Sequence, residues 1–472
     1  MSGGAGVGGG AGASAPIAAL RASVDRAWLV GGAVRDRLLG RETSDYDVAI
    51  ADDPQSTARV LAREAGGHPF RLSDQFGAWR VVAHDHRWQV DLVPLTGARI
   101  EDDLAQRDFT VNAIAEPLGG GELIDPFGGR ADLAASRLRM VSPRAFADDP
   151  LRALRLARIA CELELSIEPE TEATARAGAI GLSGVAAERV FEELKRIISA
   201  DRALEGLRLM DVLGVSAVVL PELVALHGVE QSRFHHLDVH DHTMTVLGET
   251  IALQRDPSAA FGEHAEPVAA LLAEPLANEL TRGQALRFGA LFHDIAKPAT
   301  RGVTGEGRVT FIGHDAAGAR MAAAVLARLR ASERLADYVA AVTRHHLRLG
   351  FLVHEVPLSR RSVYRYLHAT EPVQVDVTVL SVADRLATRG ANSEVAIAKH
   401  LALAEEMIAE ALAWRARPPA PIVRGDEITR ELGIRPGPQI GKLLAELEEL
   451  SFTGEVQTRE QAFARARELL GG

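Results

Sequence analysis

The stretch "SDYDVAI", residues 44–50, sets Asp45 and Asp47 one residue apart in an otherwise apolar, strand-like run. On a strand, residues i and i+2 project from the same face, so two like charges repel unless a cation lies between them. A divalent ion is the obvious candidate. A third carboxylate, Asp91 in "WQVDLVP", falls in another strand-like stretch. Three acids on neighbouring strands can hold two divalent ions about 3.5–4 Å apart, which activates an attacking hydroxyl and stabilises a leaving pyrophosphate. That chemistry is in-line nucleotidyl transfer. An isolated D-x-D is more often a solvated turn, but here it sits between a Gly-Gly turn and apolar "VAI", which favours burial.

Upstream, "LVGGAVRDRLLG" (29–40) runs a strand into Gly31-Gly32, with a helix starting within a few residues. Glycines at that point let a phosphate approach backbone N–H groups at a helix N-terminus, and Arg35, one turn in, reaches the same phosphate. Alone, such a turn is merely a tight connection. Its meaning comes from the carboxylates ten residues on.

Residues 27 to about 140 alternate short apolar runs with Gly-rich turns ("AWLVGG", "YDVAI", "WRVVAH", "WQVDLVPL", "TVNAIAEP", "ELIDPFGG"), predicting a small mixed sheet with a few helices. From about 144 the texture becomes Ala/Leu/Arg/Glu-rich and predicts an almost wholly helical remainder. The class is α+β. Prolines break the helical pattern near 213–223 and 416–423. The expected divisions are a Gly/Ala-rich disordered tail (1–16), a head (17–140), a helical neck (141–220), a helical domain (221–417) and a C-terminal helical segment (418–472).

At 472 residues, 47% hydrophobic and 25% charged, the chain has core material for several domains. One cysteine, Cys161, excludes an intrachain disulfide framework and fits a reducing, cytoplasmic setting. No uncharged apolar run is long enough to span a bilayer. The net charge of −11 argues against general adhesion to nucleic acid. Yet between 137 and 158 six arginines (137, 139, 144, 152, 155, 158) face two acids, Asp148 and Asp149, and there a polyanion is expected to land.

"LVGGAVRDRLLGRETSDYDVAI", "DLAQRDFTVNAIA" (103–115), "LIDPFGGRADL" (123–133) and "DDPLRALRLAR" (148–158) resemble, in order and spacing, the successive motifs of the bacterial class II tRNA nucleotidyltransferases and related poly(A) polymerases. The resemblance implies a polymerase-beta-like head, a helical neck, Mg2+ in the head, CTP and ATP as substrates, and extension of a tRNA 3′ end without a nucleic-acid template. It assigns the head metals to Asp45 and Asp47, nucleotide phosphate to Gly32 and Arg35, and a place in the nucleotide site to Arg107. The family usually carries two arginines before "DFT"; here the first is Gln106.

In "DDPLRALRLAR", Asp149, Arg152, Arg155 and Arg158 recur every three residues and form a drifting polar stripe on a helix. An arbitrary stripe of this kind is a solvated charged face; the resemblance makes this one the nucleotide reader. Cytosine N4 and adenine N6 are donors beside an accepting ring nitrogen, so Asp149 can accept from the first while Arg152 donates to the second. Uracil and guanine set a carbonyl against Asp149, at a cost of about 1–3 kcal/mol for each unpaired group. Arg155 and Arg158 would serve the triphosphate or position the stripe. The family uses a mobile loop before "RDFT" when it switches to adding A. Only fifteen residues separate Asp91 from Arg107, and this shortness resembles the variants that add only two C residues.

The middle of the chain carries "DVHDHTM" (238–244), "LFHDIAKP" (291–298), "FIGHD" (311–315), "TRHHLR" (343–348) and "VADRLA" (382–387). Imidazoles and carboxylates on successive helices can enclose a divalent ion. The pattern resembles HD-domain phosphohydrolases, with metal ligands carried over as His242, His293, Asp294 and Asp384. His314 and either His345 or His346 can complete a second metal position, and Lys297 can contact phosphate. Activity on phosphomonoesters or 2′,3′-cyclic phosphates is the expectation. The tail from residue 422 resembles the family's tRNA-holding segment and reads equally well as a helical cap. The competing readings are a poly(A) polymerase, and a phosphohydrolase whose head only binds RNA.

Overall fold

The computed structural model describes residues 15–73, 77–231, 237–389, 393–419 and 421–471. The chain forms two compact units, one built from residues up to Val185 together with Arg208–Val218, the other from Ala186–Leu207 and everything after Val219. The division falls inside the segment 141–220. Most of the expected disordered tail lies outside the described residues, but its last two, Ala15 and Pro16, open a helix (α1, Ala15–Ser23) that buries Leu20.

The first unit is built on a six-stranded sheet of order β3-β4-β5-β2-β1-β6, where β1 is Ala27–Val30, β2 Asp45–Ile50, β3 Gly67–Ser73, β4 Ala78–Ala83, β5 Gln89–Pro94 and β6 Ala115–Pro117. Its strand pairs are antiparallel except β2 with β5. Parallel neighbours need a crossover, and helix α3 (Pro54–Ala65) with the β3–β4 hairpin supplies it. Asp53 caps α3 by accepting from Ser56 N–H at 2.8 Å, with Pro54 in the first turn. Strand β3 was not expected from the sequence: Pro69 interrupts "GHPFRLS". A proline is tolerated because β3 is the sheet edge, where an N–H can be spared. Of the predicted strand segments, "TVNAIAEP" folds as a 3-10 turn (Thr110–Asn112) followed by β6, and "ELIDPFGG" contributes only a bridge from Ile124 to Ala115.

Short helices follow the sheet: α2 (Gly32–Leu38) directly after β1, α4 (Ile100–Leu104) after β5, then α5 (Gly129–Ala134), α6 (Ala145–Asp148) and α7 (Leu151–Leu163). Val30, Ala49, Ile100, Leu104, Ala113 and Ala115 close one core against Trp28, Leu95 and Phe127. Helix α7 buries Leu151, Leu154 and Ile159.

The second unit is predominantly helical but includes two hairpins that the helical texture concealed, Pro275–Ala277 with Leu280–Thr281 and Gly302–Val303 with Val309–Thr310. The first turns through Asn278 and Glu279, both at positive φ, as a two-residue hairpin loop requires. Arg287 donates to the carbonyls of Ile198, Ser199 and Ala200 and satisfies the end of helix Ala187–Ser199. A buried pair, Arg282 with Asp376, joined by the Tyr338 hydroxyl at 2.7 Å, ties three helices together. Residues 421–471 form their own small core of Val423, Ile428, Leu443, Leu447 and Leu450. They lean on helix Arg360–Ala369 through Glu449, paired with Arg361 and Arg365.

Candidate active site in the sheet and a histidine centre in the helices

Register brings the head acids together. Asp47 on β2 stands opposite Asp91 on β5, and Asp91 stands opposite Arg80 on β4, so the three form one row across adjacent strands, with Asp45 two residues along β2. Asp45 is exposed, Asp47 half-buried and Asp91 buried. The Asp47 carboxyl is pushed up to about 6, first by burial and then by Asp45 and Asp91, with Arg107 and Arg80 pulling it back. Carboxylates crowded on one face in this way fit a divalent cation, which would relieve the repulsion. Asp91, read from the sequence as the third carboxylate of the set, differs from the other two in its partner. Its two oxygens are engaged by Arg80, Nε to Oδ1 at 2.6 Å and Nη2 to Oδ2 at 2.7 Å.

Between β1 and α2, Gly31 adopts φ +70°, and a Cβ there would lie 2.9 Å from Arg107 Nη1 and 3.3 Å from Asp47 Oδ2. Glycine is required both for the turn and for that approach. Arg107 is steadied by Asp103 Oδ2, at 3.3 Å from Nε and 3.2 Å from Nη2. Arg35 lies along Gly32 and donates to Asn112 Oδ1 at 2.7 Å and to Asp36. Asn112 in turn donates to Asp108, whose other oxygen accepts from Arg155 Nη1 at 3.2 Å. Burial opposes ionisation of Asp108, but Arg155 and the hydrogen bonds from Asn112 and the Phe109 N–H outweigh it and hold the carboxyl below its usual range.

The polar stripe divides. Asp149 lies just before α7, where its Oδ1 accepts from the Leu151 N–H. Arg152 is drawn to the "QRD" backbone, donating to the Gln106 carbonyl at 2.5 Å and the Arg107 carbonyl at 3.4 Å. Arg155 reaches Asp108, while Arg158 is buried and ion-paired with Glu162 one turn on, at 2.7 Å. Most arginines of the expected landing surface also have acidic partners: Arg137 and Arg139 share buried Asp132, Arg144 makes an exposed pair with Asp148, and Arg155 and Arg158 are engaged as above. Counting charge along the chain could not see Asp132, Asp108 or Glu162 arriving as partners. Sequence reasoning did not single out Arg80, Asp103, Asp108 or Asn112. The i,i+4 spacings Asp103/Arg107 and Asp108/Asn112 were the available signals.

In the second unit the histidines converge from separate helices. His242 comes from Val239–Arg255; His293 and Asp294 follow Arg282–Phe292; His314 opens His314–Arg328; His346 follows Glu333–His345; Asp384 lies on Gln374–Ala387. Two triads form, His242/His293/Asp384 and Asp294/His314/His346. Asp294 stands between them, Oδ2 at 3.0 Å from His293 Nε2 and Oδ1 at 3.2 Å from His314 Nε2, with Lys297 Nζ at 2.6 Å. Of the two candidates for the last imidazole, His346 joins the centre, and His345 accepts from Arg348 instead.

His293, His314 and His346 each donate Nδ1–H to the carbonyl three residues earlier, at 2.8, 2.7 and 2.7 Å. That fixes the tautomer and aims Nε2 inward as a ligand. Burial pushes His346 down to about 4, so it is neutral at neutral pH. Burial likewise opposes charge on Asp294, yet His293 and Lys297 hold it well below the carboxylate range. The donor set fits a divalent metal on the chemistry of its atoms. His346 and Asp384 also face a cavity of ≈ 320 Å³ lined by Arg385, Ser381, Leu347 and His400.

A D-x-D strand beside a Gly-Gly turn on a mixed sheet, with an HD cluster on separate helices, defines a nucleotidyltransferase carrying an appended HD domain. Residues 27–139 match the poly A polymerase head domain, 164–226 the probable RNA and SrmB-binding site of polymerase A, and 261–389 the HD domain. The chain is 37% identical to the A-adding tRNA nucleotidyltransferase of Deinococcus radiodurans, over 92% of this chain and 94% of that one. It is 35% identical to the CC-adding tRNA nucleotidyltransferase of Thermus thermophilus, over 93% and 92%. A solved Thermotoga maritima CCA-adding enzyme complexed with tRNA shares the fold, with a TM-score of 0.57 at 21% identity over 94% of this chain and 91% of that one. The chain belongs to the tRNA nucleotidyltransferase family and is an enzyme. Among the described residues no helix is long and apolar enough to cross a membrane.

Proposed function

We propose that the chain extends the 3′ end of tRNA with C residues from CTP, with Mg2+ held by Asp45 and Asp47. The observation that carries this reading is the junction of the carboxylate row with the segment 106–108, onto which the reading helix is anchored through Arg152 and Arg155. When bound, the metal supplies charge neutralisation at the hydroxyl and the triphosphate. Arg107 and Arg35 face the phosphates beside Gly31 and Gly32. Asp149 accepts from cytosine N4 while Arg152 donates to the ring. Replacing Asp149 with alanine is expected to lower discrimination of CTP over UTP on the order of 10- to 100-fold, read as the ratio of kcat/KM values, because a hydrogen-bonded base edge is worth about 1–3 kcal/mol. Unchanged discrimination would remove Asp149 from the reading face.

Named relatives include both A-adding and CC-adding enzymes, so the choice of product rests on the connection between β5 and Arg107. That connection is pinned rather than loose. Asp103 accepts from the Thr96 N–H at 3.4 Å, and Asp102 from the Ala98 and Arg99 N–H groups at 3.1 and 3.0 Å. Gly97, at φ +87°, lies so close that a Cβ would meet Asp102 Cβ at 2.6 Å. A strap held in this way supports addition of two C residues and no terminal A. With a tRNA lacking its last three nucleotides plus CTP and ATP, products resolved by length are expected to stop two nucleotides on; a third nucleotide, or a long A tract, overturns the reading.

The paired histidine triads favour a second activity, metal-dependent hydrolysis of phosphomonoesters or cyclic phosphates at the HD centre. Lys297, ion-paired with Asp294, and Arg385, on the cavity wall, are cations beside that centre that an incoming phosphate would meet. A cytoplasmic setting accords with the single buried cysteine.

A further inference from the structure

We infer that Arg80 is a positioning residue of the head, closing Asp91 into an ion pair and thereby confining the protein's divalent-ion ligands to Asp45 and Asp47. The inference rests on the nucleotidyl-transfer reading and refines how its metal site is built. Arg80 and Asp91 are direct cross-strand partners on β4 and β5, and the guanidinium meets the carboxylate fork to fork at 2.6 and 2.7 Å. Such a planar, two-bond match is the strongest geometry an arginine and an acid can make, and the guanidinium does not give up its proton.

The pair is also sheltered, with 28% of the Arg80 side chain and 11% of the Asp91 side chain exposed. For Asp91 to ligate an ion it must either use the lone pairs the fork leaves, bringing the dication up against the sheltered guanidinium, or break the charge-assisted bonds, and either change is unfavourable. Arg80 also acts on its other neighbours, since its charge interacts with Asp45 and Asp47. The row across the sheet is therefore a neutral Arg80–Asp91 strut followed by two open carboxylates. Any further oxygen ligands must come from outside this row, from the nucleotide's phosphates, the attacking hydroxyl or water.

The test is Mn2+ binding to the full chain, followed by electron paramagnetic resonance of the free ion, with the head site defined as the class lost in Asp47→Asn. In Arg80→Gln, Asp91 is released as a third carboxylate and Mn2+ binds the head on the order of tenfold more tightly, because affinity follows ligand charge. Arg80→Lys keeps the charge but loses the fork and falls between. In the double variant Arg80→Gln/Asp91→Asn a neutral pair replaces a neutral pair, so Mn2+ affinity stays within about twofold of the parent. A loss on the order of tenfold or more in the double variant makes Asp91 a metal ligand and overturns the proposal, as does an unchanged affinity in Arg80→Gln. A cooperative thermal transition and a parent-like near-UV circular dichroism spectrum, to which Trp28, Trp79 and Trp88 of the head contribute, show that each variant is folded. Absence of any Asp47-dependent class in the parent would instead sink the metal assignment on which this rests.

Discussion

Asp47→Asn is expected to reduce nucleotide incorporation roughly a thousandfold or more, as loss of a group that holds charge-stabilising metal should. The same change should make the metal-free protein more resistant to unfolding at neutral pH. The reason is the elevated Asp47 carboxyl, at about 6, against an ordinary aspartate near 3.9 in the unfolded chain. Between those values the folded state still binds a proton that the unfolded state has released, so stability falls as pH rises through the window, and above it the deficit is complete. Asparagine cannot ionise and abolishes that slope. Thermal unfolding between roughly pH 4 and pH 8 should therefore show a flatter profile for the variant. Added Mg2+ should raise the melting temperature of the parent more than that of the variant, because only the parent has the repulsion to relieve. Retained incorporation, or parallel pH profiles, would place Asp47 outside the metal site.

The second large effect concerns the helical unit. Asp294→Ala removes the carboxylate that stands between both triads and contacts His293, His314 and Lys297. Divalent metal retained by the HD centre after dialysis, measured by plasma mass spectrometry, is expected to fall to background. His314→Ala should remove only the ion of the second triad, about half of the content, because His242, His293 and Asp384 remain. Equal content in both variants would show a single ion served by all six groups. Hydrolysis of p-nitrophenyl phosphate should vanish with Asp294→Ala, while the nucleotidyl-transfer reaction, carried by different residues, provides the control for an intact head.

Much of the site was legible along the chain because it is local. The i,i+2 spacing of Asp45 and Asp47 needs only a strand to share a face, and Gly31-Gly32 announces its turn by composition. The HD histidines declare themselves by number, although spacing could not choose between His345 and His346. Adjacent helical residues point about 100° apart, and only the packed helix shows which imidazole faces inward. The hairpin at Asn278-Glu279 and edge strand β3 were hidden because their signals, two positive φ residues and one tolerated proline, depend on neighbours that the local pattern does not contain.

By itself the sequence determined the α+β class, the head's paired acids and the cluster of candidate metal ligands in the middle domain, since each follows from short-range periodicity and residue chemistry. Only the tertiary structure decided that Asp91 is claimed by Arg80, that Arg158 turns to Glu162 while Arg155 reaches Asp108, and that most arginines of the arginine-rich stretch have acidic partners. Strand register and helix packing bring charges from far along the chain to within about 3 Å, and at such separations a specific partner outweighs any average over the neighbourhood.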